Sequence, residues 1–447
     1  MKRLVAVGVA FVVVWLVATP VCWTIFDEQA YLTQALRFAD VPFPAAPVLD
    51  GSPVPGPRMH LDAAGREVPE FALGWPLLLA PLAGLGPTAA FAVTLLLHLL
   101  GTAAFVGVLR RLELPDAWAL LYLLHPTAVL LSRTAMADVP AMALTAIGLW
   151  CWLEPSRRSA LLAGLVWGAS IHLRWSQGAI VGGLVLAALI RRDRIGPLLL
   201  GVAPGVVSAL ALSLALHGTL LPPRSIGFDP SVLLVNVPWY VVGLLMLYPG
   251  LVLTPARPMP LRTEAVAVLL TSLVLFGAFG HRFTGIGPGA FVVGLRFFLP
   301  ATVLLLPGYI VALRRWRVDV RWAAVGLVLL AVAIQVRHAG IQSAQQARVD
   351  AVEAALTDLP VLANNDAREL LLEPEVLVVP WFRDQELPPL DGEILLLTSI
   401  RSDREGPSQD GRLLFQRART RWELDEVLTL PPDGPVPGVQ LWRGRPR

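Results

Sequence analysis

A succession of long apolar segments constrains the fold of this chain more than any other feature of its sequence. Of its 447 residues, 55% are hydrophobic and only 15% are charged, a composition that excludes a soluble globular protein of this length. Many of the apolar segments approach or exceed the length at which a helix crosses a bilayer. We predict an α-helical polytopic membrane protein with about eleven transmembrane helices, at residues 4–25, 87–109, 117–133, 138–153, 159–173, 177–190, 196–216, 236–256, 264–280, 296–313 and 322–337.

Basic residues between these spans indicate the orientation of the chain. Lys2 and Arg3 precede the first span, and every second loop after it carries arginines. Because cytoplasmic loops are enriched in Lys and Arg, the alternation predicts a multi-pass protein of the inner (plasma) membrane with a cytoplasmic N-terminus. The basic loops contain Arg110-Arg111, Arg157-Arg158, Arg191-Arg192 with Arg194, Arg257 with Arg262, and Arg314-Arg315 with Arg317 and Arg321. The positive net charge therefore reflects the basic loops that set the membrane orientation. No nucleic-acid partner is expected.

The first region predicted to lie outside the bilayer is the loop at 26–70. The segment that follows it, 71–85, is apolar but contains Pro76 and Pro81. Prolines interrupt a helix, so we predict a broken or re-entrant stretch that leads into the second span. A transmembrane domain is thus expected over 1–337, with the outer loop as part of it.

The second such region is the tail at 338–447, where charged residues and turns become frequent. Residues 375–379 and 393–398 are typical of strands, and apolar residues recur earlier in the tail at helical spacing. These apolar residues are Val349, Val352, Ala355, Leu356 and Leu359. We expect a small, soluble, extracytoplasmic α/β domain over 338–447.

An acidic pair, Asp27-Glu28, directly follows the first span and should emerge at the outer membrane surface. Charged residues at such an edge are costly to bury unless they have a function. The alternative is helix capping, since acidic residues favour the first turn of a helix and 27–39 has the apolar spacing of a short interfacial helix. Function and capping are both open for the pair on position alone.

A third acid, Asp138, lies in the second outer loop, at the outer end of a hairpin of spans. Pro140 follows two residues later, so an N-cap role is the structural alternative to a role in a site. Three acids at one membrane face are also oxygen ligands of the kind that a divalent cation takes, but no metal or other cofactor is assigned.

Basic residues at the outer ends of later spans run against the positive-inside pattern. They are Arg174, His281, Arg282 and Arg296. Arg296 opens a long apolar segment, which favours an anion held at the membrane surface over an arginine that reaches for lipid headgroups. Both interpretations stay open for Arg174. His60 and Glu70 of the first loop are further candidates for a substrate site, although a lone loop histidine is more often solvated.

Four short motifs together resemble the GT-C superfamily of integral-membrane glycosyltransferases. They are Phe26 to Tyr31 after the first span, Val68 to Leu79 with its proline-glycine-proline entry to the second span, Ser132 to Pro140 with its acid, and Arg296 to Pro300 at the start of a late span. Their order and sidedness are most similar to the protein mannosyltransferase and lipid A aminoarabinose transferase branches. The resemblance covers about 1–313, and the C-terminal region carries no motif of this kind.

The resemblance implies an inverting transfer of a sugar from a polyprenyl-phosphate donor to an acceptor glycan, lipid or protein at the outer face, among membrane lipids. Asp27 is then the general base, while Glu28 and Asp138 orient the acceptor or tune Asp27. Arg174 and Arg296 hold the phosphate. Tyr31, within the first motif, joins the basic candidates and the loop residues as a substrate-binding residue.

The competing class is a multi-span transporter or lipid flippase of the envelope. Such a protein needs ionisable residues along a path through the membrane, but few lie mid-span here, His98 being one. The acids and the outer arginines gather at one face, which favours a surface enzyme. A non-catalytic relative that serves as a scaffold in envelope assembly is the third alternative.

Overall fold

The computed structural model describes residues 2–40, 59–61, 67–69, 71–220, 228–256, 259–279, 288–364, 377–379, 392–400, 409–433, 436 and 438–447. The chain forms two compact units. The first unit comprises Met1–Thr19, Phe71–Trp75 and Phe91–Val336, and the second comprises Pro20–Glu70, Pro76–Ala90 and Arg337–Arg447.

Helices make up almost all of the first unit and part of the second. In chain order the α-helices are α1 Lys2–Val17, α2 Phe26–Asp40, α3 Gly74–Leu79, α4 Pro87–Arg111, α5 Leu120–Leu123, α6 Pro126–Leu131, α7 Asp138–Trp152, α8 Arg157–Leu173, α9 Gln177–Arg191, α10 Ile195–His217, α11 Leu233–Leu247, α12 Arg262–Gly277, α13 Pro288–Gly294, α14 Leu299–Arg315, α15 Val320–Ala355 and α16 Gln409–Arg421. Short 3-10 helices lie at Ala80–Leu85, Asp116–Ala119, Pro230–Val232, Leu251–Ala256 and Leu295–Phe298.

Helical structure occupies all eleven predicted spans, and the protein is a polytopic α-helical membrane protein. Among the described residues, the helices long and apolar enough to cross a bilayer are Pro87–Arg111, Ile195–His217, Pro230–Leu247, Gly289–Arg315 and Val320–Ala355. The other predicted spans correspond to shorter or broken helices. On α1 an apolar stripe at Val5, Val9, Val13 and Leu16 stays exposed, as a lipid-facing surface does.

The first predicted span is shorter in the structure. It was expected over 4–25, but α1 ends at Val17, shortly before Pro20, which cannot continue a helix. Helix α15 runs without a break from Val320 to Ala355, through the position of the expected domain boundary after residue 337, and it contains Val349, Val352 and Ala355 but ends before Leu356. That boundary stays a prediction. Residues 71–85 form α3 and a 3-10 helix and are therefore broken, as their prolines predicted.

Glycines allow α8 and α10 to pack closely. A Cβ added at Gly201 would lie 2.9 Å from the Cα of Gly164, and one at Gly168 would lie 2.9 Å from the carbonyl oxygen of Val202. Gly164 and Gly168 on α8 thus face Gly201 and Gly205 on α10. This is the small-residue spacing by which membrane helices bring their backbones together, and it anchors the helix that leads to Arg174.

The C-terminal part of the second unit is the small α/β domain that the sequence predicts. Strands β1 Met59–Leu61 and β2 Glu67–Pro69 form an antiparallel pair elsewhere in this unit. The larger sheet has the order β4-β3-β5-β7-β6, with β3 Val361–Asn364, β4 Leu377–Val379, β5 Ile394–Ile400, β6 Trp422–Leu430 and β7 Gly438–Pro446. Strand β3 is parallel to β4 and β5, and the β5-β7 and β7-β6 pairs are antiparallel.

The core of this domain lies between the sheet and α16. It consists of Leu362, Ile394, Leu396, Leu414, Ala418 and Trp422. Strand β4 lies within the predicted range 375–379, and β5 overlaps the predicted range 393–398. Alternate apolar residues of β5 face this core, as expected for a strand with one buried face.

Helix α2 is more deeply buried than the predicted interfacial helix. Leu32 and Ala35 are buried as expected, but the polar side chains of Gln29, Thr33 and Gln34 are buried too. A helix that lies in the membrane interface keeps its polar face in water. The helix is therefore enclosed on both faces, and its apolar side packs against the 3-10 helix Ala80–Leu85.

Candidate active site

The acidic pair at the start of α2 divides into two different environments. Glu28 is fully buried, and its carboxylate accepts hydrogen bonds from the backbone N–H groups of Thr24 (2.9 Å) and Ile25 (3.0 Å). A glutamate at the third helical position that reaches back to the preceding backbone is half of a capping box. Glu28 therefore caps the start of α2, as the second interpretation of the acidic pair predicted.

Asp27 is half-buried at the second position of the same helix. The loop before it is fixed by α15, since the Gln342 side-chain amide donates to the Cys22 carbonyl oxygen (2.9 Å) and Thr24 Oγ1 lies 3.3 Å from His338 Nε2. These contacts lie within the second unit. They hold the turn that presents Asp27 in place, which is what a positioned carboxylate requires.

The loop that carries the third predicted acid is buried from Ser132 to Ala137. Indole N–H groups from two distant parts of the first unit hold it: Trp15 donates to the Ser132 carbonyl oxygen (3.2 Å) and Trp75 to that of Ala135 (2.6 Å). The Arg133 guanidinium donates to the carbonyl oxygen of Ala18. Loop backbone groups that are removed from water need such partners, and here tryptophans supply them.

Asp138 opens α7 but does not cap it. The N-cap residue is Ala137, and no side chain caps this helix end. The buried Asp138 carboxylate instead forms an ion pair with Arg174, the residue at the C-terminal end of α8. Asp138 therefore forms a buried ion pair and not an N-cap. Removal of either partner would leave the other charge buried without compensation.

Two guanidinium groups converge on one aromatic ring. The Arg174 Cζ lies 4.8 Å from the centroid of Phe297, and the Arg296 Cζ lies 5.0 Å from it. Tyr240 of α11 lies within electrostatic range of both arginines. Asp138, Arg174 and Arg296 were predicted as site residues from separate parts of the sequence, and the first unit brings them together.

Sequence reasoning gave no role to the two aromatic residues of this cluster. Phe297 lies inside the motif Arg296 to Pro300, next to the arginine that was predicted to bind an anion. The motif could therefore have indicated Phe297 as well. Tyr240 had none, because a tyrosine within an apolar helix is usually part of the core. Its ring packs against Phe298 at a centroid distance of 4.6 Å.

Several predicted site residues, namely Glu70, His281 and Arg282, lie outside the described residues. The backbone of His60 belongs to β1, but its side chain is outside the description, and Tyr31 is buried in α2. Asp27 and Glu28 belong to the second unit, and Asp138, Arg174 and Arg296 to the first. That these acids and arginines line one pocket stays a prediction.

The chemistry open to the arginine cluster is anion binding. Guanidinium groups form charge-assisted, bidentate hydrogen bonds with phosphate oxygens, and stacking on an aromatic ring fixes their planes. Within the described part of the chain, no three His, Cys, Asp or Glu side chains are grouped so that they could hold a metal ion.

Comparison with solved structures shows the fold. ArnT from Cupriavidus metallidurans in the apo state matches with a TM-score of 0.58 and 14% sequence identity, over 98% of each chain. The same protein bound to undecaprenyl phosphate matches with a TM-score of 0.56 and 14% identity, over 99% of this chain and 98% of that one. No protein-family model matches the sequence, and no curated protein matches it either.

The chain thus has the fold of ArnT, a lipid A aminoarabinose transferase of the GT-C class. The resemblance to GT-C glycosyltransferases that the four motifs indicated is confirmed at the level of the fold.

Proposed function

We propose that this protein is an inverting glycosyltransferase that moves a sugar from a polyprenyl-phosphate donor to an acceptor at the outer face of the inner membrane. One observation carries the proposal: a full-length fold match to ArnT, a protein also solved with undecaprenyl phosphate, in a chain whose Arg174 and Arg296 converge on Phe297. A lipid-linked donor is what a transferase needs when it faces away from the cytoplasm, where nucleotide sugars are made.

Only one strong catalytic group is needed for this reaction. The acceptor hydroxyl oxygen attacks the anomeric carbon, the bond from that carbon to the phosphate oxygen breaks, and polyprenyl phosphate leaves as a stable anion. The proton of the hydroxyl passes to a carboxylate, which acts as general base. Glycosidases differ because they use a second carboxyl group to expel an alcohol. Direct displacement inverts the anomeric configuration.

Asp27 is the carboxylate that we assign as the base. The two carboxylates of the pair are distinguished by their contacts, since the Glu28 carboxylate accepts hydrogen bonds from the backbone of the helix start. Glu28 then positions Asp27 by stabilising the first turn of α2. Asp138 orients Arg174 through their ion pair.

Arg174 and Arg296 are the proposed phosphate ligands. Charge-assisted hydrogen bonds to the leaving phosphate strengthen as its charge develops. Tyr31, His60, Glu70, His281 and Arg282 are proposed to contact substrate on the basis of sequence alone. The acceptor is a glycan, a lipid or a protein.

The proposed topology places the N-terminus in the cytoplasm and the domain at 338–447 outside. The basic loops support it. A reporter enzyme that works only outside the cytoplasm, fused after Arg447, should be active. Activity only from a cytoplasmic reporter at the same position would refute the orientation.

The test of the enzymatic proposal uses Asp27→Asn, which keeps the shape of the side chain but removes the base. Sugar transfer from undecaprenyl-phosphoryl sugars is measured in detergent, and donor binding is measured separately. We expect transfer to fall by about 10²–10⁴-fold while donor binding persists. The matched control is Asp116→Asn, a partly exposed carboxylate paired with Arg110, which should transfer at the wild-type rate.

Two outcomes would contradict different parts of the proposal. Full turnover by Asp27→Asn would remove Asp27 as the base. A wild-type protein that transfers no sugar from a broad panel of polyprenyl-phosphate donors would refute the glycosyltransferase assignment itself.

A further inference from the structure

A buried amide on α2 has no hydrogen-bonding partner among the described residues. Gln34 is only 1% exposed, yet among the described residues neither its side-chain oxygen nor its side-chain nitrogen has a partner. Buried polar atoms in native proteins are almost always hydrogen-bonded, so each exception points to strain, an unobserved water or a ligand. A glutamine side chain offers two N–H donors and one acceptor oxygen, and within the described part of the chain none of them is used.

The position of Gln34 connects it to the proposed base. Seven residues separate it from Asp27, which places both side chains on the same face of the helix, roughly two turns or about 10 Å apart along its axis. The buried ring of Tyr31 lies between them on that face. One continuous face of α2 thus presents a carboxylate, an aromatic ring and an amide with unused hydrogen-bonding capacity.

The chemistry of this face differs from that of the arginine cluster. Phosphate is bound best by guanidinium groups, as at Arg174 and Arg296. An uncharged amide that both donates and accepts hydrogen bonds suits hydroxyl groups, which do the same. A site built to bond a hydroxyl also discriminates strongly against a substrate without it, because its own polar atoms then stay unpaired.

We propose that Gln34 binds the ring hydroxyls of the transferred sugar and so determines which sugar is accepted. The inference rests on the proposed function, since it assigns the sugar end of the donor to the helix face that carries Asp27.

A second buried glutamine provides a matched control. Gln335 of α15 is also 1% exposed, and both atoms of its amide lack a partner within the described part of the chain. It lines an apolar groove of about 230 Å³ together with residues of α1 such as Ala10 and Val14. Gln335 has the same chemistry as Gln34 but lies outside the helix that carries the proposed base.

The experiment compares the affinities of three lipids for the detergent-solubilised full-length protein. The probes are undecaprenyl phosphate, undecaprenyl-phosphoryl mannose and undecaprenyl-phosphoryl glucose, of which the last two differ in the configuration of one hydroxyl. For Gln34→Leu we expect the preference between the sugar-bearing lipids, and their advantage over undecaprenyl phosphate, to shrink by about tenfold. Affinity for undecaprenyl phosphate itself should stay within about twofold, because the phosphate contacts are intact.

Gln335→Leu should leave all three affinities unchanged. Gln34→Glu serves as a second variant if Gln34→Leu does not fold; it keeps the shape and the acceptors but loses the donors, so the same loss of preference is expected. Unaltered lipid preferences in either folded Gln34 variant would overturn the inference, as would a wild-type protein that binds the three lipids equally. A wild-type protein that prefers one sugar in binding but transfers none would instead contradict the proposed function alone.

Discussion

The two ends of helix α7 both gather arginines, but they use them differently. At the C-terminal end, Arg111 pairs with Glu154 at 2.8 Å, and Arg194 stacks on Trp152 with its Cζ 4.3 Å from the ring centroid. Arg194 also donates to the Trp152 carbonyl oxygen at 3.0 Å. Cations that bond the last carbonyls of a helix complement its dipole and close its end.

A buried acid completes that end. Glu264 of α12 accepts hydrogen bonds from the Trp152 indole at 3.3 Å and from Arg191 at 2.6 Å. Each arginine here is matched to a carboxylate or to a main-chain carbonyl, which is the pattern of a structural anchor.

At the N-terminal end the arginines converge instead. Asp138 is paired with Arg174, and Arg174 and Arg296 share the ring of Phe297. We propose that these two cations, which share one aromatic ring, form a binding surface for an anion. The arginines at the C-terminal end of α7 thus bind separate partners, whereas Arg174 and Arg296 at the N-terminal end share one ring, although Arg174 is also paired with Asp138.

The largest effect is expected when the buried pair at the N-terminal end is broken. Asp138→Ala leaves the Arg174 guanidinium, only 13% exposed, without its carboxylate. We expect unfolding in detergent to require about 3–5 kcal/mol less than for the wild type. In the double variant Asp138→Ala/Arg174→Ala part of this loss should be recovered. A single variant as stable as the wild type would show that the pair contributes nothing to the fold.

The next effect concerns binding. Arg296→Ala removes one of the two convergent cations and should weaken the affinity for undecaprenyl phosphate by about 1.5–3 kcal/mol. Arg296→Lys should recover only part of the loss, because lysine keeps the charge but lacks the planar fork. Arg191→Ala, from the anchored end, is the control and should bind the lipid normally. Equal losses in both variants would erase the distinction between the two ends.

A smaller loss of stability is expected at the anchored end. Glu264→Ala removes an acceptor from the Trp152 indole and from Arg191, but Arg191 is 45% exposed and can be hydrated. We expect a decrease of about 1–3 kcal/mol in the free energy of unfolding, with lipid affinity unchanged. Glu264→Gln, which keeps an oxygen acceptor, should lose less. Weakened lipid binding in a folded Glu264→Ala protein would mean that this end also serves the site.

The smallest effect belongs to the surface pair at the same end. The Glu154 side chain is 51% exposed, so its ion pair with Arg111 competes with water and salt. Glu154→Ala should lower the free energy of unfolding by about 0.2–1 kcal/mol, and less at high ionic strength. A decrease in the free energy of unfolding as large as that of Asp138→Ala would show that the different exposure of the two ion pairs does not determine their contributions to stability.

The sequence alone determined the membrane class, the order of the helices and the motif residues of the candidate site. Apolar length and periodicity are local properties, because a helix in lipid must satisfy its own backbone and show apolar side chains outward. Arg296 could be singled out for a similar reason, since an arginine that opens a long apolar segment is conspicuous in the sequence.

Only the tertiary structure decided which partners these charged residues have. Asp27 and Glu28 are adjacent and chemically alike, yet backbone amides within hydrogen-bonding distance give Glu28 a capping role. Asp138 was equally suited to cap α7 until Arg174, 36 residues later, was found beside it. Phe297 gained its role from two arginines that lie on different elements. The partners of a residue are set by packing between segments that are distant in the sequence. Ion pairs between such segments follow no local periodicity, so the sequence pattern does not reveal them.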